Sequence, residues 1–392
     1  MSRRRVAVTG LGVVGPCGIG REQFFAGLLA PQPTGERIVA DFDPAQHFDS
    51  PKEARRADRV THFALASAAE ALLQAGELTA DPARIGVLMG TGIGGLSTLE
   101  DQIHVFQTKG PRRVSPFLVP MMMANAGAAA VSMKYGFQGP CETTVTACAS
   151  STHAIGNATD AIRWGRADAV ITGGAEAANT PVGTQGFINM TATSKSGVSR
   201  PFDANRDGFV QSEGAAVFVL EELEMARERG ATILGEILGS ANTADAHHIT
   251  APAPGGSGAI RCIEVALDDA GLSAADIVHI NAHGTSTPLN DAAEAEAVAK
   301  VFGTPGPLLT STKGVTGHAL GAAGALEAAA VLLTMEKRLI PPTDGYETPD
   351  PDMPPINLVV GQPLEWEPGP TLSNSFGFGG HNGTIVVGPP PE

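Results

Sequence analysis

The chain has 392 residues, of which 43% are hydrophobic and 17% charged, a composition that supplies a large buried core and argues against disorder. Its net charge of −15 opposes non-specific binding to nucleic acid, and the lack of a long apolar run or secretory leader predicts a cytoplasmic protein with no membrane segment. Four cysteines (Cys17, Cys141, Cys148, Cys262) without CxxC spacing or a paired Cys/His cluster speak against a disulfide framework and a structural zinc site.

Residues 5–9 (RVAVT) predict a buried strand, ended by a glycine turn at Gly10-Leu-Gly12. Residues 61–75 carry apolar side chains at helical spacing, and residues 85–89 form a second short apolar run closed by a turn-rich segment to Gly95. Residues 143–147 read as a strand running into a helix over about 148–164, with another strand at 169–172. The second half repeats the grammar: a helix over 258–270, a strand at 277–281, a helix over 291–302 and a strand at 308–311. An alanine-rich helix then runs from near His318 to near Lys337, and strands at 372–374 and 384–387 finish the chain. Alternating β and α units without a flexible linker predict an α/β fold with largely buried sheets.

Two glycine-rich or acidic motifs invite other functions. Gly10-Leu-Gly12-Val-Val-Gly15 after a strand matches the dinucleotide fingerprint, with Asp41 in range of a ribose, which would make the chain an NAD(P)-dependent oxidoreductase. Against this, neither Tyr135 nor Tyr346 sits in a Tyr-xxx-Lys arrangement, and Pro16-Cys17-Gly18 is a poor helix start. Asp203-Ala-Asn205-Arg-Asp207-Gly208 copies the first half of a calcium loop, but Glu213 falls one residue short of the closing position. A structural turn is the better reading there.

Cys148 lies where a strand meets a helix, in Thr144-Val-Thr-Ala-Cys148-Ala-Ser-Ser-Thr-His153. At a helix N-terminus the sharp turn exposes the sulfur, and the macrodipole favours thiolate, lowering the pKa from its free value of about 8.5. A small buried core cysteine is the bland alternative. Two downstream motifs tip the balance. Asn281-Ala-His283-Gly-Thr285-Ser-Thr287 sets a histidine just past a buried strand, and Ser311-Thr-Lys313-Gly-Val-Thr-Gly317-His318 sets a second at the start of a helix. A cysteine, a lysine and two histidines at element ends suit nucleophilic catalysis.

These segments resemble the elongating β-ketoacyl-acyl-carrier-protein synthases, synthase II above all. The likeness runs nearly end to end, from Val6-Ala-Val-Thr-Gly-Leu-Gly12 through Thr172-Gly-Gly-Ala-Glu176 and Arg200-Pro-Phe-Asp203 to Asn374-Ser-Phe-Gly-Phe-Gly-Gly380. A Cys-His-His set is that of the elongating branch; initiating synthases use Cys-His-Asn, and chain-length factors lack the cysteine. The resemblance implies a thiolase fold, with duplicated βαβαβ halves in a five-layered α-β-α-β-α arrangement. Residues 1–235 would carry the cysteine and residues 236–392 the histidines. It implies decarboxylating condensation of an acyl-Cys148 intermediate with malonyl-acyl-carrier protein, as in fatty acid elongation. The backbone N–H groups of Cys148 and Phe378 would form an oxyanion hole, and His283 and His318 would stabilise the enolate. Lys313, paired with Glu294, would hold His318. Thr285 and Thr287 would bind phosphopantetheine, which the carrier protein brings, so no cofactor or metal of the chain's own is implied.

Matched by position, Ile93, Phe187 and Phe378 would line an acyl tunnel, with Leu118 reaching in from a partner subunit of a homodimer. Ordinary core packing is the alternative for Ile93 and Leu118. Lys52, Arg55 and Arg56, with Arg112 and Arg113, form basic spots suited to docking an acidic carrier protein. Arg59 sits beside the first cluster, where a solvated helix face serves equally. A ketosynthase of a type II polyketide pathway, heterodimeric with a second chain, is the alternative within the same chemistry. The chain departs from synthase II at His381, where threonine is usual, at Ser212, where glycine is usual, and in shorter loops around residues 32–42 and 193–198.

Overall fold

The computed structural model describes residues 3–31 and 35–391, so residues 32–34 of the shortened first loop lie outside the described residues. Its strands fall into two sets with the same order. In the first, β1 (Val6–Gly15), β2 (Ile85–Gly90), β3 (Cys141–Thr144), β4 (Ala169–Glu176) and β5 (Gly214–Glu222) are arranged β3-β2-β4-β5-β1. In the second, β6 (Gly235–Ala244), β7 (His279–Asn281), β8 (Leu308–Thr310), β9 (Thr371–Gly377) and β10 (His381–Gly388) are arranged β8-β7-β9-β10-β6. Within each set the first three neighbours pair in parallel, while β5 and β10 run antiparallel to both strands beside them. A short pairing of Ala7 with Glu236 and Val8 with Gly235 joins β1 to β6. This is the duplicated arrangement expected from the resemblance.

Helices fill the layers between and outside the sheets. Helix α1 (Arg59–Ala75) covers the outer face of the first sheet together with α2 (Ala126–Tyr135). Helix α3 (Ser150–Arg163) packs between the sheets against α7 (Ala323–Lys337), touching β2 and β4 on one side and β6 and β10 on the other. Between them in the chain come α4 (Pro181–Asn189), α5 (Ser257–Ala270) and α6 (Pro288–Phe302); α5 covers the outer face of the second sheet and is backed by α6. The central core runs from Val6, Val8 and Leu11 through Ile155 and Ile162 to Leu326, Leu332 and Val387. Eleven of the fourteen residues of α3 are buried, as a helix with sheets on two sides requires.

The glycine turn expected at Gly10 is absent. Strand β1 runs through Gly10 and Gly12 without a break and stays buried along all 10 residues. The glycines serve packing: a Cβ at Gly10 would stand 2.2 Å from the Ala71 carbonyl oxygen, and one at Gly12 would stand 2.0 Å from that of Ser67. They let α1 lie directly on the strand. The chain then turns back at Pro16–Cys17, where Val14 pairs with Ile19, so the motif continues as a strand and hairpin instead of opening a helix, and the dinucleotide reading fails. The calcium reading fails too. The Asp203 carboxylate accepts from the N–H groups of Asn205, Glu347 and Thr348, and that of Asp207 from the Ser194 hydroxyl and the Lys195 and Ser196 N–H groups, so both are satisfied chiefly by donors from neighbouring segments.

Candidate active site

Cys148 and His283 follow closely on the C-terminal ends of β3 and β7, while Lys313 and His318 come from the segment after β8. After β3 the chain makes a tight turn in which Ala147 takes a φ of 50°, Thr146 N–H donates to the Ser150 hydroxyl at 2.8 Å, and α3 begins at Ser150. Cys148 therefore precedes the helix by two residues, buried but facing a cavity of about 450 Å³. His318 was expected to open a helix. It lies instead in an extended link bonded to the segment at Val210–Ser212, and α7 begins five residues later at Ala323. Its Nε2 stands 3.1 Å from the Cys148 sulfur. His283 follows β7, its ring 5.3 Å from that of His318 and 6.0 Å from that of Phe376. One ligand-type atom from each of Cys148, His283 and His318 lies within 4.8 Å of the others.

The expected partner of Lys313 is wrong. Glu294 accepts the N–H groups of His283 and Gly284, each at 2.8 Å, and so shapes the His283 turn from α6. Lys313 pairs instead with Glu327 of α7, both side chains almost wholly buried. Its Nζ donates to the His283 carbonyl oxygen at 2.5 Å and lies 3.4 Å from His283 Nδ1. The lysine therefore braces His283, not His318. Glu327 carried a signal that the sequence reading passed over: a lone acid within Ala-Gly-Ala-Leu-Glu327-Ala-Ala-Ala, where an apolar helix buries it and a buried charge demands a partner.

Burial governs the electrostatics. It holds both His283 and His318 well below the ordinary histidine range, assisted by the nearby Lys313 charge, so both rings are neutral. It also pushes the Cys148 thiol up to about 11, outweighing the Lys313 charge and the Phe378 N–H, which lower it. This corrects the expectation of a thiol lowered by its helix: the resting group is a protonated thiol beside a neutral imidazole. Glu294 and Glu327 are both raised to about 7, again chiefly by burial.

Among the other predicted residues, Thr285, Thr287, Ile93, Phe187 and Phe378 all line the cavity. The hydroxyls of Thr285 and Thr287 lie 2.9 Å apart, and Thr287 also caps α6. Leu118 opens a short helix (Leu118–Met122), half-buried and away from the cavity lining of this chain. Lys52, Arg55, Arg56, Arg112 and Arg113 are exposed, and the Arg56 guanidinium lies 4.3 Å over the ring of Phe117. Arg59 is spoken for: it pairs with buried Glu213 at 2.7 Å and donates to the Val39 carbonyl. His381 begins β10, paired with Gly377 and Ala244, and Ser212 is fully buried behind His318. Among the described residues, no helix is long and apolar enough to cross a membrane.

Comparison with known proteins agrees with this geometry. A family model described as the N-terminal domain of beta-ketoacyl synthase matches residues 35–226, and one described as its C-terminal domain matches residues 234–347. The 3-oxoacyl-(acyl-carrier-protein) synthase 2 of Synechocystis is 44% identical, covering 98% of this chain and 98% of the relative. Its namesake in Coxiella burnetii is 42% identical, with 99% of each chain covered. Among solved structures, a beta-ketoacyl synthase from Burkholderia phymatum superposes with a TM-score of 0.91 at 33% identity, over 99% of this chain and 100% of that one. The ishigamide ketosynthase/chain length factor superposes with a TM-score of 0.92 at 32% identity over the whole of both chains. With its thiolase fold and its cysteine set against two buried histidines, the chain belongs to the β-ketoacyl synthase family.

Proposed function

We propose that this protein condenses an acyl group with malonyl-acyl-carrier protein, releasing carbon dioxide and 3-oxoacyl-acyl-carrier protein, in fatty acid elongation. The observation that carries the reading is the 3.1 Å approach of His318 Nε2 to the Cys148 sulfur, with His283 beside them in one buried cavity. The thiol gives its proton towards His318 as sulfur attacks the acyl thioester, and the departing carrier thiolate takes that proton. The N–H of Phe378, already aimed at the sulfur, and that of Cys148 stabilise the tetrahedral oxyanion. Malonyl-carrier then binds. Because Lys313 can only donate, His283 Nδ1 accepts, and the neutral ring keeps its proton on Nε2. His283 donates to the thioester oxygen while the carboxylate leaves as carbon dioxide, and His318, whose Nδ1 has no partner among the described residues, joins it once its ring proton has exchanged from Nδ1 to Nε2. The enolate carbon attacks the acyl-cysteine, and Cys148 leaves as thiolate and regains a proton from solvent. On this reading neutral donors carry the chemistry, and the pantetheine arm of the carrier is held by Thr285 and Thr287.

The exposed Lys52, Arg55, Arg56, Arg112 and Arg113 suit docking of an acidic carrier protein. The apolar exposed side chains Val119, Met123 and Met133 suit contact with a second copy, which would bring Leu118 towards the neighbouring cavity. Higher identity to the synthase 2 relatives (44%) than to the ishigamide ketosynthase (32%) favours fatty acid elongation over a polyketide role. Mixing the purified protein with acyl- and malonyl-carrier protein and weighing the products tests the proposal. A 3-oxoacyl product that disappears with Cys148→Ala supports it; no product from the parent protein, or an undiminished rate in the variant, overturns it.

A further inference from the structure

Glu176 is a wholly buried carboxylate at the end of β4 that the condensation chemistry leaves unused. Its Oε2 accepts the Gly92 N–H at 2.6 Å and the Gly321 N–H at 3.1 Å, and its Oε1 accepts the Thr91 hydroxyl at 3.3 Å. Everything that favours its ionised form is an N–H or O–H donor from these turns. The donors belong to opposite halves of the fold. One turn follows β2 and carries Ile93; the other follows His318 and carries Leu320. Both Ile93 and Leu320 line the cavity that holds Cys148.

The two turns touch backbone to backbone. A Cβ at Gly321 would stand 2.0 Å from the Gly92 nitrogen and 2.8 Å from Glu176 Oε2. Leu320 is itself held at a φ of 45°, a left-handed conformation that a leucine keeps only when its surroundings enforce it. One buried acid bonded to both turns thus fixes how far apart Ile93 and Leu320 stand.

Resting on the condensing reading above, we infer that Glu176 is a positioning residue for acyl-chain selection, clipping the Ile93 turn to the Leu320 turn and setting the bore of the apolar end of the cavity. Glu176→Gln keeps the shape but turns an NH2 group towards N–H donors, releasing one turn. Gly321→Ala wedges the turns apart and leaves the acid in place. Glu176→Asp keeps the charge and partly restores the clip.

The experiment measures kcat and KM for carrier-bound hexanoyl and tetradecanoyl primers, with malonyl-carrier saturating. In both Glu176→Gln and Gly321→Ala the preference for tetradecanoyl over hexanoyl rises about tenfold, the worth of a methylene-sized change in a pocket wall, and the change lies in KM. Glu176→Asp falls between these variants and the parent. An unchanged preference in both variants overturns the inference, as does an equal loss at both chain lengths, which is what a plain fold clamp would give. Should Glu176→Gln fail to fold, the Gly321→Ala profile decides alone. A parent protein that makes no 3-oxoacyl product refutes the condensing reading itself, a different result from normal condensation with an unaltered chain-length profile.

Discussion

Glu327→Ala tests the ion pair behind His283. Both partners are sealed in, Lys313 at 1% exposure and Glu327 at 2%, so the truncation leaves an ammonium whose remaining contacts are the His283 carbonyl oxygen and Nδ1. Removing one member of a buried pair costs about 3–5 kcal/mol, because a charge stays behind without compensation. At about 1.4 kcal/mol per decade, that is a loss of at least roughly a hundredfold in the folding equilibrium. Replacing both residues with apolar ones of similar volume, Lys313→Met with Glu327→Leu, removes the stranded charge and returns stability to within about 1 kcal/mol of the parent. The double variant has nothing to donate to His283 Nδ1, so the ring's proton is no longer fixed on Nε2. Condensation then falls by roughly a hundredfold, the worth of one oxyanion donor. Urea unfolding followed by circular dichroism reads the first quantity, and product mass the second. A single variant as stable as the parent, or a double variant that condenses at the parent's rate, refutes the reasoning.

His279 is buried with both ring nitrogens lacking a partner among the described residues, and burial pulls its pKa down to about 3. The unfolded chain therefore takes up the proton first, so stability is complete above about pH 6.5 and is lost as the pH falls, by about 2 kcal/mol at pH 5. His279→Leu should flatten the acid side of a urea-midpoint profile by that amount; an unaltered slope counts against it. Gly12→Ala drives a methyl group into the Ser67 carbonyl and should lower the free energy of unfolding by about 1–3 kcal/mol, so a neutral result would contradict the close approach of α1 to β1. Arg55→Glu with Arg56→Glu should raise KM for carrier-bound substrate about tenfold at low salt and converge on the parent at high salt, since exposed charges are screened beyond about 10 Å at 0.1 M. A free pantetheine thioester should show no such change. A salt-independent effect would exclude electrostatic docking.

The sequence revealed what depends on local chemistry. Cys148 at a strand-to-helix junction, His283 past a short buried strand and the threonines beyond it are all features of contiguous residues, and the cavity brings them together as expected. What escaped were contacts between elements distant in the chain. Gly10 and Gly12 read as a turn because glycine usually marks one, yet their purpose is set by the Ala71 and Ser67 carbonyls of α1, more than fifty residues later. The partner of Lys313 was misassigned to Glu294 for the same reason: either acid could supply a charge, and only the packing of α7 against the site decides in favour of Glu327. The thiol's raised pKa likewise reflects enclosure by both sheets, a property no local motif carries.

Cys148 follows β3 and His318 follows β8, the strands that occupy the same place in the two sets, while His283 follows β7. On the proposed mechanism, the two like-ordered strand sets divide the labour, the first supplying the attacking atom and the second the imidazoles. A hinge-like parting of the two sets would pull Cys148 away from both imidazoles, so the proposed chemistry requires the two to stay locked together.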